Sequence, residues 1–222
     1  MSLILNIDTA SDIASVCLAK DRMVLQTAIN ENQKDHAAWL HPAIEQLLQQ
    51  NNLKPRQLDA VAVSIGPGSY TGLRIGLASA KGLCYVLNIP LITVGTLEMM
   101  ANAVKEEATD LICPLVDARR MEVFTAVYDR SLEPRLLPHA LVIDDTSFTS
   151  LLSANKILFC GNGSAKLKSV LKNPNARFSD TRTNAADLVP LSTQYFDNKG
   201  FADLAYTEPL YIKEFYSHGR NL

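Results

Sequence analysis

Residues Gly66-Pro67-Gly68-Ser69-Tyr70-Thr71-Gly72-Leu73-Arg74-Ile75-Gly76 follow an apolar run from Val61 to Ile65. The run has the length and composition of a buried strand. The glycines and the proline permit backbone angles closed to other residues, and Ser69 and Thr71 can cap a helix that carries Leu73, Leu77, Ala80, Cys84 and Leu87 at helical spacing. Strand, glycine turn and helix start in this order predict a loop of free N–H groups at a helix N-terminus, which suits an anion; a plain strand-to-helix turn has the same order. It is neither a Walker loop, since no Gly-Lys-Ser/Thr follows, nor a nucleophile elbow, since Ser69 lacks glycines two residues to either side.

Other residues with chemical potential do not converge. His36 and His41 are five residues apart, about 140° around a helix, and His139 and His218 are isolated. Cys17, Cys84, Cys113 and Cys160 contain no Cys-x-x-Cys pair and read as buried thiols rather than a disulfide framework or a zinc site. Ser, His and Asp are present without a triad motif, since geometry rather than composition defines a triad. The sequence therefore offers no catalytic residue and no metal-ligand set.

The elements that must position these residues fall into two series. Residues 3–8, Ala14–Ala19 and Met23–Leu25 predict a strand meander whose first turn is Thr9 to Asp12. A helix is expected after Asp35, an apparent N-cap, with Ala37, Leu40, Ile44, Leu47 and Leu48 on one face and Pro42 either kinking it or marking its true first turn. Val61–Ile65 and Leu91–Val94 predict buried strands flanking the helix of the glycine loop, and a third helix runs from Thr96 to about Ala108. A second series starts near Asp110 with strands Ile112–Val116, Val123–Tyr128 and Lys156–Cys160, then Gly161-Asn162-Gly163-Ser164 and a helix to about Leu171. Asn184 can cap a further helix in which Pro190 predicts a bend. Both series run strand, hairpin, then strand into glycine turn into helix, which suggests internal duplication in a mixed α/β protein.

At 222 residues and 47% hydrophobic content the chain has the composition of an ordered globular protein of one large or two small domains. A formal charge of −2 argues against gripping nucleic acid unaided. Between Asn162 and Arg182, however, Lys166, Lys168, Lys172, Arg177 and Arg182 face a single acid, Asp180. That run is either a solvated face or a surface turned to RNA within a complex. After Ser2 the chain enters a strand without a basic leader, and no apolar run approaches the roughly 18 residues of a membrane span, so a cytoplasmic protein is expected. Gly72, Gly76 and Ala80 recur every four residues, a stripe without bulk that can admit another helix or pack on this protein's own elements.

The glycine segment closely resembles the signature of the TsaB family, also called YeaZ, the actin-like non-catalytic partner of the tRNA threonylcarbamoyladenosine synthase subunit TsaD. The signature positions here are Gly66, Gly68, Ser69, Thr71 and Arg74. The resemblance extends to Leu3-Ile4-Leu5-Asn6-Ile7-Asp8-Thr9-Ala10, to the segment from Pro90 to Glu98, to the stretch from Pro114 to Phe124 and to Pro209-Leu210-Tyr211-Ile212. It implies two similar actin-like, ribonuclease-H-like (ASKHA) domains, each a mixed sheet flanked by helices. These are residues 1–108, carrying partner-docking helices, and residues 109–222, whose last segment packs back on the first domain. The function implied is that of an accessory subunit for N6-threonylcarbamoyladenosine at position 37 of tRNAs reading ANN codons. Its implied partners are a TsaD-like synthase in a heterodimer and a TsaE-like ATPase, with a homodimer when alone and tRNA met indirectly. The docking helices correspond to those around Asp35–Asn52 and Thr71–Asn88, with Trp39, Leu40, Gly72, Leu73, Gly76 and Ala80 as contact residues. TsaD-type synthases continue from the matching strand into Asn-His-x-x-x-His, whose histidines bind a catalytic metal; here Thr96 and Met100 stand at those positions. Actin-like ATPases hold phosphate in the first hairpin turn and close a nucleotide cleft with a later glycine turn, which points to Thr9, Ser11, Gly161 and Gly163. The turn Asp8-Thr9-Ala10-Ser11-Asp12 lacks the glycine that close approach to phosphate calls for, so no cofactor is expected on the chain alone, and ATP or ADP only at the partner interface. The alternatives are a stand-alone actin-like ATPase or phosphotransferase and, against the missing histidines, a glycoprotease-like metallopeptidase.

Overall fold

The computed structural model describes residues 2–32 and 35–213. In the first half, strands β1 (Leu3–Asp8), β2 (Ala14–Lys20) and β3 (Met23–Asn30) precede helix α1 (His36–Gln50). Strand β4 (Ala60–Ser64), helix α2 (Tyr70–Leu87), strand β5 (Leu91–Val94) and helix α3 (Thr96–Val104) follow. The second half comprises β6 (Leu111–Asp117), β7 (Glu122–Asp129), β8 (Pro134–Val142), α4 (Thr149–Leu152), β9 (Ile157–Cys160), α5 (Ser164–Val170), β10 (Ala176–Phe178), a 3-10 turn (Ala185–Leu188) and α6 (Val189–Asp197).

The strands form two five-stranded sheets ordered β3-β2-β1-β4-β5 and β10-β9-β6-β7-β8. In each, the first strand of its half is antiparallel to the second and parallel to the fourth. The second pairs antiparallel with the third, and the fourth parallel with the fifth. The same topology thus occurs twice.

Strand side chains alternate between faces, so a strand covered on both sides is buried throughout and mostly apolar, as β1 and β4 are, with Asn6, Asp8 and Ser64 their buried polar residues. From β1, Leu3, Leu5 and Ile7 point outward with Val61 and Val63 onto Leu40, Ile44 and Leu47 of α1 and Leu77 and Cys84 of α2. The opposite face, with Ile4, Ala60, Ala62 and Ile92, packs on Leu97 and Met100 of α3, which also meet Ile112, Val116 and Leu158 of the second sheet. The second sheet's outer face buries Cys113, Leu115 and Phe159 against Leu152 and Leu167. α3 and α6 therefore lie between the sheets in a core common to both halves.

Several boundaries differ from the sequence reading for physical reasons. β3 continues to Asn30 because pairing with β2 outlasts its apolar stretch. β8 carries Pro134 and Pro138 and was not expected; it is an edge strand, where a missing N–H is tolerated. The three-residue β10 is too short for a periodic signal, and α3 ends at Val104 rather than Ala108. Asp35 occupies the N-cap position of α1 without a side-chain capping bond, and α1 runs through Pro42 from His36. Asn184 does cap, accepting from the Ala186 N–H, but the element is the 3-10 turn, and Pro190 lies in the first turn of α6. The end of the described chain returns to the first sheet, where the Ala202 N–H donates to Leu91 O at 2.8 Å and the Leu210 N–H to Ile65 O at 2.7 Å.

Candidate functional site

The glycine loop is closed by its own chain. Gly66, at φ +118°, donates its N–H to Thr96 Oγ1 at 3.1 Å, and its carbonyl accepts the Thr96 N–H. The Ser69 N–H donates to Ala10 O at 2.7 Å, and Ser69 Oγ caps α2 by accepting the Gly72 N–H at 3.3 Å. A Cβ on Gly68 would stand 2.2 Å from Ala10 O, one on Gly72 2.0 Å from Thr9 O, and one on Gly76 2.3 Å from Thr9 Oγ1. The glycines let the β1–β2 turn lie directly on α2. This corrects two expectations. Not every N–H group of the loop is free, since those of Gly66, Ser69 and Gly72 are engaged. The stripe Gly72, Gly76, Ala80 is internal packing, and Leu40 and Leu73 are likewise buried in this chain. Trp39 is half-buried against the outer core of the first sheet. Thr71 and Arg74 are exposed; the Arg74 guanidinium lies 3.8 Å from the centre of the Tyr70 ring and donates through Nε to Tyr211 Oη at 2.9 Å.

Between the sheets a cleft of ≈ 510 Å³ is walled by the β1–β2 turn, the start of α3, the β9–α5 turn and residues 179–183. Asp8 forms part of its lining; Oδ1 accepts from Ser64 Oγ at 2.5 Å and from the Ala10 N–H at 3.1 Å. Burial pushes its carboxyl above the ordinary value, against those two hydrogen bonds. Of the four residues expected to face a nucleotide, Ser11 and Gly161 line the cleft. Thr9 is fully buried and donates to Gly72 O at 2.7 Å, so it belongs to the α2 contact. Gly163 lies under β6 and β7, its N–H donating to Leu115 O at 2.9 Å and an added Cβ standing 2.9 Å from Val123 Cγ1. At Gly161, φ +92°, a Cβ would stand 2.0 Å from Met100 Cε, so this glycine too serves packing. Asp8, Asp12, Asn162, Thr181 and Arg182 line the cleft without having been singled out as site residues. The hydroxyl-rich run Ser179–Thr183 was the one signal for the last wall.

The β6–β7 hairpin is tied to the same region. The Asp117 N–H donates to Asn162 Oδ1 at 2.9 Å, and Asp117 Oδ1 accepts from Lys166 Nζ at 2.7 Å and the Arg119 N–H at 2.6 Å. Partial desolvation opposes ionisation, but the Lys166 ammonium and the Arg119 amide hold Asp117 below the ordinary carboxylate value. Arg119 and Arg120 both have positive φ, 68° and 47°, and Arg119 reaches a second hollow of ≈ 640 Å³ shared by the hairpin, the β1–β2 turn and the glycine loop.

α1 and α2 leave one face open. Ala37, Ala38, Pro42 and Glu45 of α1 and Ala78, Gly82, Tyr85 and Val86 of α2 are exposed, Tyr85 and Val86 at 79% each. A Cβ added to Gly82 would meet nothing within 4 Å. Ala78 and Gly82 thus form a small-residue stripe two positions out of phase with the buried one. His41 on this side pairs through Nε2 with Ser79 Oγ at 3.1 Å, while His36 is buried with neither ring nitrogen hydrogen-bonded. His139 is 2.9 Å from Leu137 O, and His218 lies outside the described residues. Thr96 accepts the Gly66 N–H, and Met100 packs on Gly161. Among the described residues no group of three or more His, Cys, Asp or Glu is gathered as a metal site. The four cysteines are buried and free, and burial pushes the Cys84 thiol up to about 11 and that of Cys113 up to about 12. Also among the described residues, no helix is long and apolar enough to cross a membrane.

Residues 24–209 match the family described as TsaD: tRNA N6-adenosine threonylcarbamoyltransferase. The chain is 38% identical over 125 residues to the tRNA threonylcarbamoyladenosine biosynthesis protein TsaB of Bacillus subtilis, covering 56% of this chain and 54% of the relative. It is 34% identical over 128 residues to that of Escherichia coli, covering 57% and 55%. The chain thus spans about half the length of the curated relatives it matches. Its fold superposes on YeaZ from Pseudomonas aeruginosa with a TM-score of 0.81 at 25% identity, covering 95% of this chain and all of the other.

Proposed function

The chain belongs to the family of TsaD-type tRNA N6-adenosine threonylcarbamoyltransferases, in its TsaB/YeaZ branch, and from that premise we propose that it is an accessory subunit rather than the enzyme itself. In this reading it binds a TsaD-like synthase and supports formation of N6-threonylcarbamoyladenosine at position 37 of tRNAs reading ANN codons. One observation carries the distinction. A body that matches the synthase family over residues 24–209 holds Thr96 and Met100 where the resemblance puts the metal-binding histidines, and both are committed to internal contacts, with Gly66 and Gly161 respectively. Neither side chain replaces an imidazole toward a borderline metal ion.

The proposed docking surface is the open face of α1 and α2. Exposed aromatic and β-branched side chains beside residues without bulk let a partner helix come close to the backbone, and Tyr85 and Val86 supply apolar area. The same face supports a homodimer in the absence of the synthase, since a surface that fits a structurally similar partner also fits a second copy. A TsaE-like ATPase completes the assembly, which works in the cytoplasm. ATP or ADP is assigned to the partner interface.

The test is nucleoside analysis of tRNA from cells lacking this protein. N6-threonylcarbamoyladenosine should fall sharply and return with the wild-type gene, and the purified chain alone should neither make the nucleoside nor hydrolyse ATP. Unchanged nucleoside content, or threonylcarbamoylation by the isolated chain, would overturn the accessory reading.

A further inference from the structure

Positive charge is concentrated on one edge of a molecule whose net charge is −2. β10 is the edge strand of the second sheet, and α5 precedes it. Lys168 on α5, Lys172 in the connection, Arg177 on β10 and Arg182 beyond it are all exposed. None of the four takes part in the salt bridges among the described residues. Lys166, the remaining cation of this run, is different, being held by Asp117. The Lys168 ammonium lies 5.8 Å from the centre of the Phe178 ring, which places the helix cation beside the strand. Arg182 also lines the cleft between the sheets. Asp180, exposed between Arg177 and Arg182 in the chain, is the one acid within the run, and nearby Glu107 accepts from Thr181 Oγ1 at 3.2 Å.

Four exposed cations that enter none of the salt bridges among the described residues, with Asp180 the single acid in the run, draw little from the fold beyond the contact of Lys168 with Phe178. A polyanion gains from all of them and releases its counterions on binding. Guanidinium groups at Arg177 and Arg182 add the planar geometry that suits phosphate oxygens. We propose that the α5–β10 edge is a binding surface for the phosphate backbone of tRNA, contacted through Lys168, Lys172, Arg177 and Arg182. The proposal rests on the accessory reading above and deepens it: the subunit touches the tRNA itself instead of meeting it only through its partner. Phosphate contacts carry no sequence information, so this surface orients tRNA and leaves selection of the ANN-reading species elsewhere.

The experiment titrates labelled tRNA from the same organism onto the complex with the TsaD-like protein, and onto the isolated chain, at several salt concentrations. Lys168→Glu/Arg177→Glu should weaken binding about tenfold or more and lower the slope of log affinity against log salt by about 1.5, the loss expected for two phosphate contacts. The control Lys54→Glu/Arg56→Glu, an equal charge change at exposed positions on another element, should stay within about twofold. Equal losses in both variants would reduce the effect to net charge and overturn the proposal, as would unchanged binding in the first. If Lys168→Glu/Arg177→Glu instead lost the protein partner with tRNA affinity intact, the patch would be an acidic-protein contact and the proposal would fall. Failure of the wild-type chain to bind the TsaD-like protein would overturn the accessory reading, while the titration of the isolated chain would still decide the patch.

Discussion

A methyl group added at Gly72 would stand 2.0 Å from the Thr9 carbonyl oxygen, whereas one added at Gly82, on the same helix, would meet nothing within 4 Å. Gly72→Ala should therefore destabilise the protein by about 1–3 kcal/mol, because the β1–β2 turn must shift. Gly82→Ala should leave stability unchanged or raise it by up to about 1 kcal/mol through helix propensity. Thermal melts of the two variants check this, and similar losses in both would mean that the two faces of α2 have been misassigned. The four-residue repeat of small side chains was legible in the sequence, but its phase was not. Gly72, Gly76 and Ala80 match the spacing of Ala78 and Gly82, and only the sheet beneath decides which set is buried. Likewise Thr9 reads as a turn hydroxyl open to a ligand, yet its Oγ1 is taken by Gly72 O, an acceptor 63 residues away.

At the scale of elements, the β6–β7 hairpin is held to α5 by Lys166 and Asn162 acting on Asp117. Lys166→Met removes the cation and should bring Asp117 back toward its ordinary value near 3.8, still somewhat below it because the Arg119 N–H remains. The sign of the stability effect follows. A carboxyl whose folded-state value is lowered contributes stability above its unfolded value, and that contribution disappears as pH falls through the lowered folded value. The wild type should thus lose more stability than Lys166→Met on acidification below about pH 4, by a small amount since the pair is partly solvated. NMR titration of the Asp117 carboxyl carbon reads the first effect, and an unshifted titration would show that Lys166 does not govern it. Strand and helix identities were legible wherever burial on both faces gave nearly continuous apolar runs, as in β4 and β9 and in the first half of β1. β8 was hidden by its prolines and by an edge position that buries little, and the hairpin tether by 45 and 49 residues of separation between its partners.

For the whole molecule, the repeated order of strand, hairpin and glycine turn was visible in the sequence and corresponds to two sheets of one topology. What the sequence did not reveal is that the halves share a core, since the faces of α3 that meet Ile92 and Ile112 belong to a single helical apolar pattern. That shared core fixes the cleft from inside and leaves α1 and α2 as the covering layer of the first sheet, with one side of each in water. On the function proposed above, this open side receives a TsaD-like synthase. Light scattering after size-exclusion chromatography of the chain mixed with the TsaD-like protein of the same organism reads this docking without intermediate steps. Wild type should form a stable heteromer, and Tyr85→Asp/Val86→Asp, altering two side chains that are each 79% exposed, should form none while melting at the wild-type temperature. A wild-type chain that elutes apart from the synthase, or a double variant that binds it unchanged, would mean that the open side of α1 and α2 is not the docking surface.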